Sequence, residues 1–133
     1  MRVAILESII MPAGHEVEFD RMIINELKRQ GHEPVLMVPE NFTFKVDYGV
    51  EVIYLEGGEV VTYAGASKWK KPFLSLLRER RRRAWFTSAA KKLEEHNCDA
   101  LIIPTSTYRY IKALLDTPLK NAKVPVHFIF HGI

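Results

Sequence analysis

Short runs of consecutive apolar residues alternate along this chain with longer stretches in which apolar residues recur every three or four positions. Val3-Ala4-Ile5-Leu6 is the first run. Uninterrupted apolarity is the mark of a parallel strand buried on both faces, and it predicts a strand over about residues 2–8. Beyond Met11-Pro12-Ala13-Gly14-His15-Glu16, the residues Phe19, Met22, Ile23 and Leu27 recur at helical spacing. They predict a helix over about 15–30 with those four as its buried stripe. Lys28 and Arg29 fall in its last turn, where cations suit the carbonyl end of the helix dipole, and Gly31 suits the C′ position because glycine takes positive φ at little cost. Val35-Leu36-Met37-Val38 predicts a second strand over about 34–38, closed by Pro39, and a loop over 40–49 follows.

The second half repeats the alternation. A third strand is expected over about 50–55 and a turn at Gly57-Gly58, with Val60-Val61-Thr62-Tyr63 pairing back as a short extra strand. After a linker over 64–72, a long helix is expected over about 73–96. Phe73, Leu74, Leu76, Leu77, Trp85, Phe86, Ala89, Ala90 and Leu93 form its apolar side. Arg80–Arg83 crosses that side and predicts a kink or a division into two helices. A fourth strand over about 99–104, a polar turn Thr105-Ser106-Thr107 offering an N-cap, a helix over about 107–116 and a fifth strand over about 125–130 lead to His131-Gly132-Ile133.

Strands alternating with helices predict an α/β fold: one open parallel Rossmann-like sheet with helices on both faces. Right-handed crossovers favour the order 3-2-1-4-5, which puts the topological switch point between strands one and four, and ligands of such sheets bind at the carboxyl ends of the strands there. A length of 133 residues fits a single domain, 1–133. A strand of central character at the end of the chain predicts that these residues are the first piece of a longer protein.

Composition narrows the class. With 47% hydrophobic and 26% charged residues the chain is that of a soluble globular protein. No run approaches the roughly 18 apolar residues of a membrane span. Met1-Arg2 leads straight into a strand, without a secretory signal. Cys98, the only cysteine, excludes an internal disulfide and fits a reducing cytoplasm. In that setting the sequon Asn41-Phe42-Thr43 carries no meaning.

The net charge of +3 hides an asymmetry. Residues 68–92 hold ten basic side chains against one acid, Glu79, a net +9, which leaves −6 for the rest. So local a patch speaks for an anionic ligand or surface and not for nucleic acid. Lys70, Lys71, Arg78, Arg80, Arg81, Arg82 and Arg83 carry it. Three readings fit: a solvated face, an anionic membrane surface into which Trp69, Phe73, Trp85 and Phe86 dip, or a site for an anionic substrate.

Candidate chemistry gathers at the expected rim. Gly14 sits where a strand-to-helix turn lets backbone approach a ligand, and the free N–H groups of the following helix can hold a phosphate or sugar oxygen. His15 and Glu16 share that helix start. Ser106, Thr107, Tyr108 and Arg109 stand at the end of strand four, where Arg109 can pair with a phosphate or carboxylate. His131, followed by Gly132, ends strand five; an imidazole there can bond a sugar hydroxyl or move a proton near neutral pH. His127 and His32 fit structural roles. The dinucleotide fingerprint, the Walker motif, the nucleophile elbow and metal-ligand spacings are all missing.

Pro12-Ala13-Gly14-His15-Glu16, the stretch Leu27-Lys28-Arg29-Gln30-Gly31-His32-Glu33-Pro34-Val35 and Phe130-His131-Gly132 together resemble the N-terminal half of a GT-B glycosyltransferase of the family-4 (group 1) type. The resemblance covers most of the chain and implies transfer of a sugar from a nucleotide donor to a glycan or lipid-linked acceptor, in cell-envelope or capsular glycan assembly. It implies that this half holds the acceptor while a second domain binds most of the nucleotide sugar, so that the fragment alone does not turn over. By position, Gly14 would approach the donor phosphate or the acceptor, with Ala13 replacing the first of two usual glycines, and His131 would contact the transferring sugar. It implies no cofactor beyond the nucleotide sugar and no metal, and a cytoplasmic protein, peripheral at the inner face of the plasma membrane where the acceptor is a lipid. The rival readings are a non-catalytic flavodoxin-like module for a small ligand or protein, and half of a sugar-nucleotide epimerase.

Overall fold

The computed structural model describes residues 1–7, 15–40, 49–57 and 67–130. The elements are β1 (Arg2–Leu6), α1 (His15–Arg29), β2 (Glu33–Pro39), β3 (Glu51–Leu55), α2 (Lys71–Glu95), β4 (Ala100–Ser106), α3 (Tyr108–Leu115), a short 3₁₀ turn (Pro118–Asn121) and β5 (Val126–Phe130). The five strands form one parallel sheet in the order β3-β2-β1-β4-β5. The expected order and switch point are both present: β1 pairs with β2 on one side and β4 on the other.

Alternation along β1 and β2 divides the interior in two. Ala4, Leu6, Val35 and Met37 point to the face covered by α2, α3 and the 3₁₀ turn, where they meet Trp85, Phe86, Leu93, Tyr110 and Leu119. Ile5, Leu36 and Val38 point to the other face and meet Ile24 of α1. Both α1 and α2 end in Schellman geometry. Gly31, at φ +85°, bonds back to the Lys28 carbonyl, as its sequence position predicts. Asn97, at φ 55°, fills the same place after α2, and the Cys98 N–H reaches the Leu93 carbonyl at 2.9 Å.

Four expectations are corrected. Met22 is 58% exposed, and the buried line of α1 runs through Asp20 and Ile24 instead. Helix α2 is continuous from Lys71 to Glu95, because only Arg82 of the arginine run falls on the buried stripe with Trp85, Phe86, Ala89 and Leu93. Strand β4 extends through Ser106, so the polar turn is shorter than its sequence suggests. Its pairing with β5 shifts register between Ile103 and Ser106, where Pro104 cannot donate a ladder bond. Strand β5 is half-exposed and lies at the edge of the described sheet, so its character is not central. The additional strand expected at 60–63 lies outside the described residues.

One contact locks α2 onto the sheet. Gly57, at φ +129°, lies so close to the helix that a Cβ there would stand 2.6 Å from the Ala84 Cβ. Just before it, the Glu56 N–H donates to the buried Ser88 hydroxyl at 2.9 Å. Only glycine meets both the positive φ and the close approach.

Candidate functional site

Because all five strands run the same way, the ends of β1, β4 and β5 share one rim. In a doubly wound sheet the crossovers from β1 and β4 leave to opposite faces, and the gap between them is open to a ligand. Here α1 covers one face and α3 the other. Glu7 stands at the end of β1, its N–H bonded to the Met37 carbonyl at 3.0 Å and its side chain only 2% exposed. Continued alternation puts it on the side of Ile5, toward α1. Asp20, in the second turn of α1, is buried to the same extent. Both acids have interactions within the protein, while one carboxylate oxygen of each, Glu7 Oε2 and Asp20 Oδ1, is buried without a hydrogen bond.

Across the gap, Ser106 closes β4. It is buried, and its Oγ donates to the Ile103 carbonyl at 3.0 Å, which stitches the register shift and leaves the oxygen's lone pairs to accept. Thr107 occupies the N-cap of α3 with extended backbone, but its side chain caps no N–H. Arg109, in the first turn of α3, places its guanidinium 5.9 Å from the ring centre of Tyr108 and lines a cleft between α2 and α3 with Arg82 and Lys112. His15 and Glu16 open α1 at this rim, while their side chains lie outside the described residues. Ala13, Gly14, His131 and Gly132 lie outside them too.

Sequence reasoning missed Glu7 and Asp20. The signals were present: Glu7 is the first charge after the run Val3–Leu6, and Asp20 stands four residues before Ile24 on the apolar line of α1.

The basic helix divides by face. Lys70 and Lys71 lie at its exposed start and Arg80 and Arg83 on its outer side; Arg78 and Arg81 are partly covered and Arg82 is buried. Trp85 and Phe86 are 3% and 0% exposed and belong to the core, so the expectation that they dip into a membrane is overturned. Trp69, in the turn before α2, and Phe73 and Leu76, on its first two turns, are 84%, 75% and 58% exposed. Among the described residues no helix is long and apolar enough to cross a membrane, and no group of three or more His, Cys, Asp or Glu side chains is placed to hold a metal ion. A hollow of about 770 Å³ runs along the outer side of α1 past Met22, Asn25 and Arg29. It is a surface depression away from the switch point.

Sheet order and helix placement together define a Rossmann-like α/β domain with its switch point between β1 and β4. The solved structures that share this fold include GT-B glycosyltransferases. The glycosyltransferase VinC in complex with dTDP superposes with a TM-score of 0.63 at 13% identity, over 100% of this chain and 35% of that one. CalG4, the calicheamicin glycosyltransferase, gives 0.63 at 17% identity, over 99% and 33%. MurG of Acinetobacter baumannii gives 0.60 at 14% identity, over 99% and 36%. The chain thus spans about a third of the length of these proteins, and at such identities the likeness is one of fold. No protein-family model and no curated protein matches the sequence.

Proposed function

We propose that this chain is the acceptor-side half of a GT-B glycosyltransferase, moving a sugar from a nucleotide-sugar donor to a glycan or lipid-linked acceptor. The observation that carries the reading is the switch point between β1 and β4 in a sheet whose fold matches glycosyltransferases along its entire length. VinC was solved with dTDP, the nucleotide part of such a donor. The family-4 affiliation rests on the motifs around Gly14, Gly31 and His131.

In this reading the N-terminal N–H groups of α1, reached through Ala13 and Gly14, face a phosphate or sugar oxygen. His15 and Glu16 flank them. Ser106 accepts a hydrogen bond from the acceptor, and Arg109 attracts its negative charge. His131, backed by Gly132, contacts the transferring sugar. Most of the nucleotide is held by a second domain, whose dipoles and cations stabilise the departing diphosphate without a metal. Closing the two domains aligns the substrates and excludes water. Where the acceptor is lipid-linked, Trp69, Phe73 and Leu76 enter an anionic bilayer at the cytoplasmic face, with Lys70, Lys71, Arg80 and Arg83 over the headgroups.

The test is nucleoside diphosphate release by the full-length protein that carries this domain, across uridine, thymidine and guanosine diphosphate sugars with added acceptors. Release that depends on acceptor and falls at least 100-fold in His131→Ala supports transfer. Binding of a small ligand without any release points to the flavodoxin-like module. Interconversion of the free nucleotide sugar points to the epimerase.

A further inference from the structure

We infer that the cleft between α2 and α3 is a phosphate-binding site built around Arg82, which has no part in the glycosyltransferase reading; Arg109 and Arg83 are shared with that reading. Glu79, Arg82 and Arg83 project from α2 at positions i, i+3 and i+4. Arg109, Lys112, Ala113 and Asp116 project from α3 and its end at i, i+3, i+4 and i+7. Each set is one face of its helix, so the two faces meet as a pair of charged edges. Four cations stand against two carboxylates, a local charge of +2.

Arg82 is the reason to read this as a built site. It occupies a place on the buried stripe of α2 where packing calls for an apolar residue, and it is only 9% exposed. Its Nε has no hydrogen-bond partner. Among the described residues no carboxylate pairs with it; Glu79 and Asp116 line the same cleft without closing on it. Its guanidinium lies 5.0 Å over the ring of buried Tyr110, which in turn packs against Phe86 at 5.8 Å between centres. The aromatic pair therefore fixes the plane of the fork before any ligand arrives. A cation held in this way, desolvated and with an open donor, is costly unless an anion completes it.

The room and the charge choose the anion. The inner hollow is about 20 Å³, enough for one water or one ligand oxygen. A phosphoryl group fits by inserting a single oxygen against Arg82 while its others meet Arg83, Arg109 and Lys112 at the mouth. Its charge of about −1.5 to −2 at neutral pH matches the local +2, which a carboxylate or chloride does not. Arginine forks suit tetrahedral oxyanions, since two N–H groups reach two oxygens at once.

The test titrates the folded chain with inorganic phosphate at constant ionic strength, by calorimetry and by thermal melting. The expected result is saturable binding that raises the melting temperature. Arg82→Met and Arg109→Ala weaken it at least tenfold, and Lys91→Ser, an equal loss of charge on the outer stripe near the other end of α2, weakens it less than twofold. Arg82→Lys, which keeps the charge and loses the fork, gives a second reading if Arg82→Met does not fold. It is expected to bind at least fivefold more weakly than wild type. A parallel arm uses vesicles of phosphatidic acid in phosphatidylcholine. Vesicles that compete with phosphate assign the site to a lipid headgroup, and phosphate binding without such competition assigns it to a soluble phosphate compound. The inference is overturned if phosphate stabilises no better than sodium chloride, which leaves an ordered water only, or if Lys91→Ser costs as much as Arg82→Met.

Discussion

The face of the sheet under α1 and the face under α2 and α3 differ both in depth and in sign. Among the described residues, the α1 face has four fully buried apolar side chains in contact, Ile5, Ile24, Leu36 and Val38, and its buried polar groups are the acids Glu7 and Asp20. The opposite face has a cluster of sixteen, and its buried charge is the cation Arg82. Apolar burial stabilises at roughly 25 cal/mol per Å², so the deeper layer supplies most of the driving force, and the shallow one tolerates polar groups beside the crevice. The two sides of one sheet thus differ in apolar depth and in the sign of the charge they bury.

Core truncations give the largest test of that difference. Phe86→Ala is expected to lower unfolding free energy by about 4 kcal/mol, while Ile24→Ala loses about 2–3 kcal/mol because the thinner layer can collapse around the gap. Urea denaturation of the two variants checks the ranking, and equal losses would break the contrast. Gly57→Ala comes next, at about 2 kcal/mol, since the new methyl group meets Ala84 and the backbone must hold positive φ.

Arg82→Met sharpens the comparison in the other direction. Replacing a buried cation by an apolar side chain of similar length is expected to leave stability unchanged or raise it by about 1 kcal/mol, measured in the absence of phosphate. A loss above about 2 kcal/mol would mean that the deeper face relies on the charge itself.

The smallest effect concerns Cys98, which closes the deep layer at the end opposite the rim. Burial pushes its thiol up from the usual range, partly countered by Arg2 nearby. A group raised in this way contributes stability that is complete below its ordinary pKa and is lost as pH rises through the folded value. Wild-type protein should therefore lose stability more steeply than Cys98→Ala as pH rises from about 8 upward. Parallel curves would contradict this.

Much of this architecture could be read from the chain, because its signals are local and repeated. Consecutive apolar runs gave the parallel strands, Gly31 gave the end of α1, and handed crossovers gave the strand order. Tertiary choices were harder to read. Periodicity alone treats Phe73 and Phe86 alike, yet one is 75% exposed and the other fully buried, because only the second half of α2 lies over the sheet. Met22 and Ile24 lie two positions apart on α1, and a stripe centred one step away exchanges them. Of the proposed site, position in the topology predicts Ser106 at the end of β4 and Arg109 at the start of α3, and both lie there. The burial of Glu7 and Asp20 escaped because charge in an apolar segment reads as a segment boundary until burial is known. Arg82 escaped in the same way, hidden in a run of four arginines of which it alone points inward.

The account rests on ligand binding at the carboxyl ends of β1, β4 and β5, and amide chemical-shift mapping of the isotopically labelled chain tests it most directly. Titration with nucleotide sugars and with candidate acceptor glycans should shift the amides of Glu7, Ser106 and Thr107 together, leaving Cys98 and Asn121 at the other end of the sheet unmoved. Shifts that gather at Cys98 and Asn121, or no shift at the rim with any sugar compound, would contradict it.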